Sequence, residues 1–72
     1  RVPTPGVALI GDRLYANVDL PGFSIYFTED GSIPTLKSKK YTGPIKPTKN
    51  MVFKVFNDIG DGSLPAYFMY PN

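Results

Sequence analysis

The sequence contains no cysteine, no histidine and no tryptophan. Without cysteine there is no disulfide framework, so an apolar core must hold the fold, alone or with help from a neighbouring domain. The absence of histidine and cysteine also excludes Ser-His-Asp and Cys-His nucleophilic centres and zinc sites built from those ligands. Any catalysis would therefore depend on carboxylates, lysine, tyrosine or hydroxyl groups.

Long hydrophobic runs are missing as well. The longest apolar stretches span only a few residues, whereas a membrane-spanning helix needs roughly 20. Apolar residues make up 42% of the chain and aromatic residues 14%, which are values typical of a globular domain. We therefore expect one small domain without membrane insertion.

Charge is sparse, but the basic residues are unevenly distributed. The net charge is +2, and five of the eight basic residues lie in one stretch. They are Lys37, Lys39, Lys40, Lys46 and Lys49. No arginine fork and no ladder of stacking aromatics accompanies them, so we interpret them as a solvated face that protects sheet edges. The pattern predicts no nucleic acid partner.

Helix breakers are abundant. Eight prolines and seven glycines are spread along the chain, which favours an all-β fold. Residues 1–6 contain Pro3 and Pro5 and are predicted to be an extended linker from an upstream domain, because residues before proline favour extended geometry. Residues 7–72 are predicted to form a single β-sandwich domain.

Alternation of apolar and polar residues predicts the strands. Leu14, Ala16 and Val18 share one face, and Phe23, Ile25 and Phe27 share another. We predict that residues 14–27 form a hairpin around the Pro21-Gly22 turn. Predicted strands cover residues 7–10, 13–19, 23–28, 39–41, 50–57 and 64–70. Short strands at roughly 8–12-residue spacing favour a small two-sheet sandwich, with a small barrel as the alternative.

The acidic residues are candidates for catalysis or metal binding. Glu29 and Asp30 are adjacent, but Gly31 follows Asp30 directly, which predicts an Asx-turn in which the carboxylate accepts backbone hydrogen bonds. A catalytic acid pair would also need a pocket that holds substrate. Asp58 and Asp61 could contribute oxygen ligands to calcium, but two separated acids are a weak signal. We predict no catalytic residue, no metal site and no cofactor.

Tyrosines are the candidates for a recognition surface. Tyr15 and Tyr26 are predicted to point outward from neighbouring strands, as a platform for glycans or as a docking patch for a partner domain. Docking is favoured, because interfaces are enriched in tyrosine. Tyr41 is predicted to pin the corner at Thr42-Gly43-Pro44 through its hydroxyl, much as a tyrosine corner does.

The most specific pattern combines residues 24–35, SIYFTEDGSIPT, with residues 41–45, YTGPI. It predicts a strand, a tight turn, a polar excursion and a second turn. The residues expected to shape those turns are Asp30, Gly31, Pro34, Tyr41, Gly43 and Pro44. The two blocks, together with the lead-in RVPTPG at residues 1–6, resemble the chitobiase/β-hexosaminidase C-terminal domain family.

The resemblance implies an immunoglobulin-like β-sandwich of about six to eight short, mostly antiparallel strands. It also implies a non-catalytic C-terminal accessory domain of a bacterial glycoside hydrolase family 20 β-N-acetylhexosaminidase. The partner would be the catalytic barrel of the same polypeptide, and the location would be exported, periplasmic or at the cell surface. An alternative hypothesis is a carbohydrate-binding module that uses Tyr15 and Tyr26 on N-acetylglucosamine-containing glycans.

Overall fold

Strands form where apolar and polar residues alternate between turns. The computed structural model describes residues 2–71, which are all-β and contain no helix, so none of these residues forms a helix that could cross a membrane. The strands are β1 Gly6–Ile10, β2 Arg13–Asn17, β3 Phe23–Thr28, β4 Lys39–Lys40, β5 Met51–Asn57 and β6 Ala66–Phe68. The all-β prediction is confirmed, and the arrangement is consistent with a β-sandwich.

The strands form two antiparallel sheets. β1 and β2 make a hairpin, and the second sheet has the order β4-β3-β5-β6. The turn between β1 and β2 includes Gly11, whose φ of 63° is accessible to glycine at little cost. An isolated bridge extends the hairpin: the Leu14 N–H donates to the Ile45 carbonyl at 2.7 Å, and the Ile45 N–H donates back at 3.0 Å.

The predicted hairpin over residues 14–27 is wrong. β2 pairs with β1, whereas β3 pairs with β4 and β5. Residues 18–22 instead carry the chain from one sheet to the other. Alternation specifies which face of a strand is buried, but it does not specify the partner strand.

The main core lies between the two sheets. Leu14 and Ala16 of β2 lie in one cluster with buried residues of β3 and β5, namely Ile25, Phe27, Met51, Phe53 and Val55. The Phe53 ring is fully buried and lies 5.8 Å from the Phe27 ring and 6.3 Å from the Tyr41 ring, between centroids. Burying one such side chain contributes about 1.5–3 kcal/mol to stability.

The opposite face of β5 is also covered. Val52 and Phe56 are 4% and 8% exposed, although both point away from the main core. Residues 33–37 line one cleft with Lys54 and Phe56, so the loop after β3 folds back over this outer face. Pro34 of that loop is fully buried.

The lead-in packs against the domain. Pro5 is buried, and Val2 is partly buried against the core. β1 begins at Gly6, one residue before the predicted start of the domain. Arg1 and Asn72, the outer limits of the two predicted segments, lie outside the described residues.

Candidate functional site

The turn after β3 is closed by a carboxylate. The Ser32 hydroxyl donates to Asp30 Oδ1 at 2.6 Å, and the Ser32 N–H donates to the same oxygen at 3.0 Å. Gly31 between them has a φ of 87°, in the left-handed region. The Ser32 hydroxyl, and then its backbone N–H, favour the charged carboxylate and hold the pKa of Asp30 below its ordinary value of 3.8. This is the geometry of the predicted Asx-turn.

Glu29, the other member of the acid pair, has a different partner. Its Oε1 lies 3.3 Å from Lys39 Nζ, in an ion pair whose side chains are 35% and 74% exposed respectively. A pair this exposed contributes little to stability. The two carboxylates thus interact with separate neighbours: Asp30 with its own turn and Glu29 with a lysine of β4.

The other predicted turn residues lie between β3 and Ile45. Pro34 is a buried residue of the loop at residues 33–37, which we call the outer-face loop, whereas Gly43 is half-buried and Pro44 is exposed. The loop is fastened by a reciprocal contact, in which the Thr35 N–H donates to Ser38 Oγ at 2.9 Å and the Ser38 N–H donates to the Thr35 carbonyl at 3.0 Å.

Tyr41 joins the two sheets. Its hydroxyl accepts a hydrogen bond from the Ala16 N–H at 3.1 Å, and its own N–H donates to the Ile25 carbonyl at 2.8 Å. Ala16 belongs to β2 and Ile25 to β3, so one residue satisfies polar groups in both sheets. The hydroxyl was predicted to pin the local corner at Thr42-Gly43-Pro44, but its backbone partner lies 25 residues upstream, in the other sheet.

Tyr15 and Tyr26 do not lie on neighbouring strands, which corrects that expectation. Tyr15 is on β2 in the two-stranded sheet, and Tyr26 is on β3 in the four-stranded sheet. Tyr15 is 41% exposed, whereas the Tyr26 ring is half-buried and lies 5.6 Å from the Phe56 ring between centroids, with the two rings nearly perpendicular. The two rings therefore do not form one platform, and a recognition role for either residue remains a prediction.

A cleft of about 510 Å³ opens beside Tyr26. Its lining includes Gly22 and Phe23 at the start of β3, Leu36 from the outer-face loop and Asp58 from the turn after β5. Tyr26, the predicted recognition residue, therefore shares a cleft with loop residues for which the sequence predicted turns and no role in binding.

The turn after β5 is closed by an amide that sequence reasoning missed. Asn57 Oδ1 accepts hydrogen bonds from the Asp61 N–H at 2.8 Å and the Ile59 N–H at 3.1 Å. The signal was available, because asparagine closes such turns as aspartate does. Within residues 2–71, no three acidic or other metal-ligating side chains cluster closely enough to hold an ion together.

One known protein family has a model that matches most of this chain. The family model described as chitobiase/beta-hexosaminidase C-terminal domain matches residues 3–65. The chain belongs to this family. The match includes both signature turns, Tyr41 and the turn after β5, and it ends one residue before β6.

Membership of the chitobiase/β-hexosaminidase C-terminal domain family implies a catalytic domain in the same polypeptide. Searches among curated proteins and among solved structures found no match to the chain. The family assignment therefore depends on the family model and on the residues that carry its signature.

Proposed function

We propose that this chain is a non-catalytic accessory domain of an exported bacterial β-N-acetylhexosaminidase of glycoside hydrolase family 20. In this proposal it packs against the catalytic barrel or spaces it from other parts of the protein, and it adopts the immunoglobulin-like sandwich that the resemblance implies. The observation that carries the proposal is the family match over residues 3–65.

The state of the acidic residues supports an accessory role. Most glycosidases use two carboxyl groups that flank the scissile bond, and family 20 enzymes, whose substrate assists the attack, still need a carboxylic acid with a raised pKa that protonates the leaving group. In this chain Asp30 accepts two hydrogen bonds from Ser32, and its pKa is lowered instead. A carboxyl group with a lowered pKa is a poor proton donor at neutral pH.

Kinetics of the intact polypeptide test the proposal. We expect Glu29→Gln and Asp30→Asn to leave kcat and KM on a chromogenic N-acetylglucosaminide within about twofold of the parent values, because neither side chain touches substrate. We also expect the 72-residue chain alone to show no turnover. Cell fractionation of the producing organism tests export.

Two kinetic results would contradict the accessory role. General acid or base groups contribute about 100-fold or more to rate, so a loss of that size in kcat in either variant, at an unchanged melting temperature, would contradict the accessory role. Turnover by the 72-residue chain that Glu29→Gln abolishes would contradict it as well.

A further inference from the structure

The lead-in fixes where a linked domain attaches. The family name places the catalytic domain on the N-terminal side of this domain, so the covalent connection between the two passes through residues 2–5. This lead-in is held against the sandwich, with Pro5 buried and Val2 packed against the core. Val2 also lines a depression with Phe23, Asn57 and Asp61. The polypeptide that connects the linked domain therefore reaches the sandwich at one end.

Two loops meet at that end, and we call residues 18–22 and 57–62 together the tether-end surface. The first loop follows Asn17, which lies opposite Gly6 at the start of β1. The second loop begins at Asn57, the last residue of β5, which lies opposite Phe23 at the start of β3. Both loops thus flank the point where the lead-in reaches the domain.

The tether-end surface exposes large apolar side chains. Ile59 is 79% exposed, the highest value among the large apolar residues of the described chain, and Leu20 is 54% exposed. The cleft beside Tyr26 is lined by Gly22 of the first loop and by Asn57, Asp58 and Gly60 of the second. Leu20 and Ile59 each lie within two residues of a position that lines this cleft, and exposed apolar residues beside a cleft are typical of a contact site.

The two loops of the tether-end surface carry charge of one sign, and Lys54 of β5 places its Nζ beside Gly62 at their edge. These loops contain three carboxylates, those of Asp19, Asp58 and Asp61, and no lysine or arginine. The lysine-rich stretch lies elsewhere, with Lys39 and Lys40 paired to the C-terminal half of β3. A complementary partner would present an apolar patch with lysine or arginine at its rim.

We propose that the tether-end surface is where the linked catalytic domain docks, an inference that rests on the proposed accessory function. Ile59 and Leu20 supply the apolar contact, and Asp58 and Asp61 pair with basic residues of the catalytic domain. Because the two domains belong to one polypeptide, their contact is intramolecular and needs less affinity than a contact between separate proteins.

Cysteine accessibility in the intact polypeptide tests the docking surface, because this domain contains no native cysteine. Ile59→Cys places a thiol on the surface. Ile10→Cys is a matched control, since Ile10 is 63% exposed and ends β1, about 13 Å from Gly6 at the strand rise per residue. Alkylation by a maleimide is followed by peptide mass spectrometry, natively and after denaturation.

We expect the thiol of Ile59→Cys to react about tenfold or more slowly than that of Ile10→Cys in the native polypeptide, because interface cores exclude reagent as they exclude water. The two rates should be equal after denaturation. Adding Asp58→Asn and Asp61→Asn should raise the native Ile59→Cys rate several-fold, because the ion pairs that hold the contact are lost.

The alkylation rate tests the docking surface, and the enzymatic activity tests the proposed function. Equal native rates at the two positions would overturn the docking surface, whatever the activity of the polypeptide. Absence of β-N-acetylhexosaminidase activity in the intact polypeptide would overturn the proposed function, and a slow Ile59→Cys rate there would still support an interface at this surface.

Discussion

Two turns of this domain use the same local device with different chemistry. After β3, Asp30 accepts two hydrogen bonds from Ser32, and Gly31 takes a φ of 87°. After β5, Asn57 accepts two hydrogen bonds from backbone N–H groups, and Gly60 takes a φ of 91°. In each turn a side-chain oxygen and a left-handed glycine reverse the chain.

The turns differ in charge and in their connection to the core. The acceptor after β3 is an exposed carboxylate, whereas the acceptor after β5 is a neutral amide. The second turn also leads into Ser63, which is 6% exposed and whose Oγ accepts from the Val55 N–H at 2.9 Å. The signature turn after β3 is therefore a surface turn, whereas the turn after β5 is hydrogen-bonded to a core strand through Ser63.

The largest expected effect tests the shared backbone geometry. Gly31→Val and Gly60→Val should each lower the free energy of unfolding by roughly 1–3 kcal/mol, because a β-branched residue is strained at positive φ. Neither position is crowded, so the cost arises from φ and not from a clash. Thermal or urea unfolding measures it.

Gly43→Val is the matched control for both substitutions. Gly43 also has open space around its α-carbon, but its φ lies outside the left-handed region. We expect little change in its melting temperature. An unchanged melting temperature in Gly31→Val would contradict the turn geometry given for the signature.

The next effect separates the two turns by their connection to the core. Ser63→Ala should cost about 1–2 kcal/mol, because the Val55 N–H loses an acceptor in a buried position. Ser32→Ala should change stability much less, within the range of ordinary surface substitutions. Equal losses in the two variants, measured by urea unfolding, would show that burial does not distinguish these serines.

The smallest effect concerns pH. The folded-state pKa of Asp30 is lowered, so its contribution to stability is present above the unfolded pKa and is lost as pH falls through the folded pKa. Asp30→Asn keeps an acceptor oxygen but removes the titration. The advantage of the parent over Asp30→Asn should therefore shrink below about pH 4.

Asn57→Asp is the converse substitution in the other turn. Asn57→Asp places a titratable acceptor in the turn after β5, so its stability relative to the parent should acquire a dependence on acid pH. Melting temperatures of the three proteins between neutral and acid pH provide the measurement. A difference between parent and Asp30→Asn that does not vary with pH would contradict the lowered pKa.

Local features were predictable from the residues. The alternation around Leu14, Ile25 and Phe27 placed those side chains on faces that prove to be buried in the core, and the Asp-Gly pair predicted the Asx-turn. The spacing of turn residues also gave the all-β class. These features depend on a residue and its near neighbours, which is the range over which backbone preferences and side-chain direction act.

Features that depend on distant segments were not predictable. The hairpin over residues 14–27 was wrong because β3 pairs with β5, about 30 residues further along the chain. Tyr41 was expected at a local corner, but its hydroxyl reaches Ala16 in the other sheet. Tyr15 and Tyr26 were expected together, and they lie in different sheets.

The sequence by itself determined the approximate positions of the strands and turns, and the family that the chain resembles, because these depend on short patterns of residues. The tertiary structure alone decided which strands pair, that Tyr41 joins the two sheets and that the lead-in meets the loops at 18–22 and 57–62. Those relations follow from burying apolar faces of both sheets at once, and that is a property of the packed chain as a whole.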